Sequence, residues 1–278
     1  MEVIETIKEL RQTLKSSQQR INFVPTMGNL HQGHLDLVNY AKSLEGQTVV
    51  SIFVNPLQFD QKNDLDAYPR TIEEDKQKLI ECGCDVLFLP GVDEVYPGGT
   101  AERLSQTIVS VAKLSSRWEG ESRPGHFDGM ATIVVKLFQM VQPDVAIFGQ
   151  KDYQQLQIIR QFVKDLCMPI EIVQQPITRE RDGLAMSSRN SRLNSYFREI
   201  APILYQQLQI ITEGLDWPIY NQRRQQAEQF LTEKGFNVEY LALADQQSLE
   251  PVIGRVENTV LLAAVKLGGV RLIDNIVL

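Results

Sequence analysis

One transition recurs along this chain: a short apolar run rich in Val, Ile and Phe stops at Gly, Pro or Asn, and residues of helical period follow. The runs are Ile21 to Thr26, Thr48 to Asn55, Asp85 to Leu89, Val145 to Phe148 and Ile170 to Val173. Helices fit His34 to Leu44, Thr71 to Cys82, Met130 to Val141 and Gln154 to Leu166. Strands apolar along their whole length are covered on both faces, and helical connections make them parallel. The pattern predicts an α/β fold with a Rossmann-like doubly wound parallel sheet, which binds ligands beyond the carboxyl ends of its strands.

After about Thr178 the character changes to a polar loop (RERDGLAMSSRN), two Gln-rich helical stretches and short strands near Val238 to Ala244, Val260 to Val265 and Val270 to Ile276. The expected organisation is a domain over residues 1–178 and a smaller C-terminal α+β domain over 179–278. The second carries the MSSRN loop near its start and is expected to act as a lid.

The chain has 278 residues, 43% of them hydrophobic and 23% charged, enough for a large core and a smaller one. A formal net charge of -7 disfavours a nucleic-acid partner, since such binding needs clustered Lys and Arg to neutralise phosphates. Any anionic ligand must then meet a local basic site. No run approaches the ~20 apolar residues of a membrane helix, and MEVIETIKELRQTLK lacks the apolar stretch of a signal peptide. Cys82, Cys84 and Cys167 form no CxxC pair and no disulfide framework. A cytoplasmic protein with reduced thiols and no membrane partner is expected.

Chemistry gathers where strands end. INFVPT runs into Met27, Gly28, Asn29 and Leu30, then His31, Gln32, Gly33 and His34, before helical period resumes. Two of the chain's three histidines stand here, at a helix start whose free N–H groups and positive dipole end favour phosphate. Packing is the commoner role of an isolated histidine pair, and zinc is the other alternative, but no Cys or Glu set stands at ligand spacing. The strand-turn-HxGH-helix context resembles the signature of the nucleotidylyltransferase superfamily, where it implies ATP binding and attack at the alpha-phosphate.

VSIFV stops at Asn55, Pro56, Leu57 and Gln58, and the two amides suit a hydroxyl or carboxylate without adding charge, although Asn-Pro also makes plain turns. VAIFG ends in Gln150, Lys151, Asp152, Tyr153, Gln154 and Gln155, with Lys151 a point charge for phosphate and Asp152 able to orient it or hold magnesium. Thr178, Arg179, Asp182, Gly183, Met186, Ser187, Ser188, Arg189 and Asn190 combine hydroxyls with guanidinium in a way that suits a triphosphate, or form an ordinary interdomain linker. Arg123 and His126, in a Gly-rich segment before ATIVVKLF, either reach the crevice or staple their loop.

Together PTMGNLHQGHLDL, VSIFVNPLQFD, DLDAYPRT, RPGHFDGMATIVVKLF, FGQKDYQQLQIIR and DGLAMSSRN resemble the pantothenate synthetase (pantoate:beta-alanine ligase) family, in its order and spacing, over about residues 20–195. The resemblance implies a cytoplasmic homodimer that joins pantoate to beta-alanine through a pantoyl adenylate, with ATP as substrate and Mg2+ beside it. It puts ATP against Pro25, Thr26, Met27, Gly28, His31, Gly33 and His34. Further ATP contacts fall on Gly149, Lys151, Asp152, Thr178, Met186, Ser187, Ser188 and Arg189. The catalytic charge falls on His31, His34, Lys151, Ser187 and Arg189; Met27, Asn55, Gln58 and Gln155 take pantoate; Asp75, beside Glu73 and Glu74, is the magnesium-associated acid. Gln32 and Gln150 depart from the Glu of many relatives. Two rival functions are an AMP transferase acting on a phosphate-bearing acceptor, which would need a basic acceptor pocket, and an ATP-binding sensor, which would not need the amides.

Overall fold

The structure, a computed structural model, describes residues 1–59, 65–66, 68–99 and 107–278. Asp60 of VSIFVNPLQFD, and Asp64 and Ala67 of DLDAYPRT, lie outside the described residues. The chain divides into two compact units: Met1–Gln150 with Gln154–Gln175, and Lys151–Tyr153 with Pro176–Leu278.

In the first unit, strands β1 (Glu2–Ile4), β2 (Ile21–Thr26), β3 (Gln47–Ile52), β4 (Val86–Phe88), β5 (Val145–Gly149) and β6 (Glu171–Gln175) form a parallel sheet in the order β1-β4-β3-β2-β5-β6. Its helices include α1 (Ile7–Ser17), α2 (Gln32–Ser43), α3 (Ile72–Glu81), α4 (His126–Val141) and α5 (Tyr153–Asp165). From β2 the chain moves outward through β3 to β4, then returns to place β5 on the other side of β2. That reversal opens a crevice at the carboxyl ends of β2 and β5, the general ligand position of such sheets. The core is what the apolar runs require: Phe23, Val24, Val49, Val50, Leu87 and Ile147 have no exposed surface.

Local chemistry sets the boundaries. β3 stops at Ile52, short of the expected Asn55, because Pro56 lacks an N–H for the ladder and Asn55 caps a 3-10 turn, Pro56–Gln58, by accepting the Leu57 N–H at 3.3 Å. α4 begins at His126, not Met130, since Phe127, Gly129 and Met130 are already buried on it. β1 and α1 were not foreseen; β1 is only three residues long, and α1 buries just Leu10 and Leu14. Buried Asn22 ties sheet to helix, its amide donating to Ala41 O at 3.3 Å and Glu45 O at 3.2 Å.

The second unit is an antiparallel meander of β7 (Asn237–Asp245), β8 (Thr259–Leu267) and β9 (Val270–Val277), with helices α6 (Ser195–Ile200), α7 (Ile203–Thr212) and α8 (Trp217–Glu233). Leu204, Leu208, Ile211 and Leu231 pack with Leu241, Leu243, Leu261 and Val265 in one apolar cluster. Among the described residues no helix is long and apolar enough to cross a membrane.

Candidate active site

At the end of β2, Thr26 Oγ1 donates to Ser51 O at 2.8 Å and accepts the Gly28 N–H at 3.2 Å, which turns the chain out of the sheet. His31 is the N-cap of α2, and His34 is its third residue. The His31 N–H donates to His34 Nδ1 at 3.4 Å, and the two ring centroids stand 4.1 Å apart. With Nδ1 accepting, a neutral His34 ring carries its hydrogen on Nε2, where it can donate to an incoming oxygen. The first-turn amides of α2 add the donors of a helix start. Exposed Gln32 donates to Asp36 at 2.7 Å, and Gln150 accepts from Gln174 at 2.8 Å, so both departures from Glu stand in local side-chain pairs.

The turn after β3 is built around Asn55, which is 1% exposed. Its amide donates to Gln58 Oε1 at 3.0 Å and Gly129 O at 3.1 Å, and its Oδ1 accepts from Leu57 N and, at 2.8 Å, from the Tyr96 hydroxyl. Both donors and both acceptor positions of Asn55 are thus engaged within the protein. Burial pushes the Tyr96 phenol up from its ordinary value and keeps it a donor. Asn55 thereby fixes Gln58, whose Nε2 donates to Met27 Sδ at 3.0 Å. Sulfur is a weak acceptor, so that N–H can exchange it for a hydroxyl or carboxylate. Behind Gln58, its carbonyl accepts from His126 Nδ1 at 2.8 Å and Arg123 Nη2 at 3.4 Å, while Arg123 Nη1 lies 3.2 Å from His126 Nε2. Arg123 and His126 therefore staple the loop to the Gln58 backbone.

Asp75 on α3 is fully buried. It accepts the Asn29 N–H and the Leu30 N–H, each at 2.8 Å, and the Thr71 hydroxyl at 3.1 Å. With no exposed surface and three of its roughly four acceptor positions taken by the protein, Asp75 is a poor fit for a magnesium ligand, and among the described residues no group of three or more His, Cys, Asp or Glu is gathered to hold a metal.

Gly149 ends β5, and half-buried Gln155 lies in the first turn of α5. Its neighbour Gln154 holds the 112–122 segment, donating to Leu114 O and Arg117 O, both at 2.7 Å, and accepting from Glu119 N at 3.1 Å. In the second unit Lys151 Nζ meets Asp152 at 2.9 Å, and Asn275 donates to Lys151 O at 3.0 Å. The DGLAMSSRN segment is a closed loop there: Met186 N bonds Thr178 O at 3.0 Å, and Arg179 forks onto Asp274 at 2.6 and 2.8 Å. Ser187 caps the 3-10 turn Ser188–Arg192 by accepting the Arg189 N–H at 3.2 Å. Ser187, Ser188 and Arg189 share this one turn.

The structure thus joins Met27 to Gln58 and Asn55, and His31 to His34, within the first unit. Tyr96 and Gly129 were missed as supports of the amide pair. Nothing in PGVDEVYPG marks Tyr96, whereas a Gly inside the otherwise bulky helix FDGMATIVV is a signal of close backbone approach.

The sequence profile described as Pantoate-beta-alanine ligase matches residues 2–277. Pantothenate synthetase of Pseudomonas fluorescens is 49% identical, covering 99% of this chain and 97% of its own. That of Acinetobacter baylyi is 48% identical over 99% and 98%. Among solved structures, pantothenate synthetase from Thermus thermophilus superposes with a TM-score of 0.91 at 42% identity, covering 99% of both chains. Pantoate-beta-alanine ligase from Francisella tularensis, complexed with beta-gamma ATP and beta-alanine, does so with 0.83 at 35%, covering 100% of this chain and 97% of that one. With a profile that runs through both units and relatives matched almost end to end, the chain belongs to the pantoate-beta-alanine ligase family.

Proposed function

We propose that this chain condenses pantoate with beta-alanine at the expense of ATP. A pantoate carboxylate oxygen bonds to the alpha-phosphorus as the bond to pyrophosphate breaks. The neutral amine of beta-alanine then attacks the acyl carbon of the pantoyl adenylate, AMP leaves, and the amine proton is lost. Adenylation is needed because an oxide ion cannot leave a carboxylate, whereas AMP can.

The observation that carries this reading is the pairing of two features in the first unit. A histidine pair at the N-terminus of α2 supplies donors for developing phosphate charge. On the same loop, four residues before His31, Met27 meets Gln58 across a contact that a small hydroxy acid can replace. The neutral amide favours pantoate over a phosphate-bearing acceptor. His31 and His34 are assigned to the phosphates, Gln58 and Gln155 to pantoate, and Asn55 to holding Gln58. Lys151, Ser187, Ser188 and Arg189 are assigned to phosphate on their chemistry, with Mg2+ carried in on the triphosphate as part of the substrate. A cytoplasmic homodimer completes the proposal.

Pyrophosphate release is the test: purified protein with ATP and magnesium, without beta-alanine, is given pantoate or each of a panel of small acids. Release that depends on pantoate is expected. ATP binding with no release for any acid would establish a sensor instead.

A further inference from the structure

The loop between β2 and α2 is held by a helix distant in sequence. Asp75, on α3, accepts the Leu30 N–H on Oδ1 and the Asn29 N–H on Oδ2, both at 2.8 Å, with the Thr71 hydroxyl also on Oδ2. One turn further along α3, Lys78 Nζ donates to Leu30 O at 2.7 Å. The same helix therefore grips the loop by its amides and by its carbonyl.

The loop backbone explains why an anion is required. Gly28 and Asn29 lie in succession at φ 78° and 51°, the left-handed region. Successive amides turned in this way form a concavity that binds negative charge, and here the charge is the protein's own. A Cβ on Gly28 would stand 3.1 Å from Asp75 Oδ2 and 3.0 Å from Ile52 Cγ2, so the loop is seated against both α3 and the sheet. Its two exits are functional. Met27, before Gly28, touches Gln58; His31, after Leu30, caps α2 and stacks beside His34.

We infer that Asp75 is a positioning residue for adenylate formation: by fixing the Gly28–Leu30 turn it sets Met27 and its pantoate amide against His31 and His34. It touches neither substrate. The inference rests on the assignment of Met27 and His34 made above, and it replaces a metal role for Asp75 with a backbone one. Asp75→Asn keeps the shape but turns an NH2 toward N–H or O–H donors, so the turn must shift or the amide rotate away. A displacement of about 1 Å in such a site costs roughly 100-fold in rate.

The test is rapid-quench measurement of pantoyl-adenylate formation from MgATP and pantoate without beta-alanine. Its amplitude counts intact sites, and its rate constant reports their geometry. Asp75→Asn should retain amplitude while the rate constant falls by about 100-fold, and Lys78→Met should fall in the same direction by less. Leu79→Ala, a core truncation on the same helix, should lower Tm and leave the rate per intact site unchanged. A rate constant for Asp75→Asn within about 3-fold of the parent, or an equal loss in Leu79→Ala, overturns the inference. If Asp75→Asn yields no folded protein, an unchanged rate in Lys78→Met overturns it. His34→Ala is run alongside: if it is slow and Asp75→Asn is not, the anchor fails and the site map stands. If His34→Ala is itself unimpaired, the map fails and the anchor with it.

Discussion

A side-chain carbon on Gly129 would lie 2.8 Å from the amide nitrogen of Gln58, so α4 and the Pro56–Gln58 turn meet backbone to backbone. The Gly129 carbonyl accepts from Asn55 at the same contact. Gly129→Ala forces the turn away from the helix, at a cost of about 1–3 kcal/mol in stability for overpacking. The expected kinetic signature is a raised KM for pantoate with the KM for ATP unchanged, read from pyrophosphate release. Equal effects on both substrates would place Gln58 outside the pantoate pocket.

With His34 assigned to the phosphates as proposed above, His34→Ala should lower adenylate formation by about 100-fold or more, the loss typical of a missing transition-state donor. Gln58→Ala removes the amide donor that the proposal assigns to pantoate. It should raise the KM for pantoate by about 10-fold, the equivalent of ~1.4 kcal/mol, in line with the net worth of one hydrogen bond. Separate substrate titrations of the two variants check the division; a loss of ATP affinity in Gln58→Ala contradicts it.

Arg179 and Asp274 form a two-pronged ion pair with Asp274 only 4% exposed, and the guanidinium lies 3.4 Å over the Tyr205 ring. Asp274→Ala leaves a partly buried guanidinium uncompensated, and breaking such pairs costs roughly 3–5 kcal/mol. Urea unfolding should show the loss, and the double variant Arg179→Met with Asp274→Ala should recover part of it. Full additivity of the two single variants would mean the pair is not coupled.

Thiol chemistry should follow burial. Cys84 is buried, donates to Val86 O at 3.3 Å, and has its pKa pushed up to about 12, by burial first and by the Asp85 charge second. Burial also raises Cys82, more mildly, whereas Cys167 is exposed. The thiolate is the reactive form, so a disulfide reagent in mildly alkaline buffer should label Cys167 first and Cys84 only after denaturant is added. Rapid native labelling of Cys84 would show that its surroundings open.

Much of this molecule was legible in one dimension. A buried strand and an amphipathic helix each write their period into consecutive residues, so β2, β5 and α2 stand nearly where the pattern placed them. The histidines could be assigned to a helix start for the same reason, because capping is decided within a few residues. β1 was too short to carry a period, and the end of β3 depended on how Asn55 used its amide.

What the sequence by itself determined is the parallel α/β architecture and the placing of polar residues at strand ends, because both follow from local periodicity and turn chemistry. Only the tertiary structure decided that Arg123 and His126 brace the Gln58 carbonyl and that Asp75 holds the loop before His31. Those relations join residues as much as 68 positions apart. The spacing of such partners is set by how helices pack on the sheet, and no stretch of neighbouring residues records it.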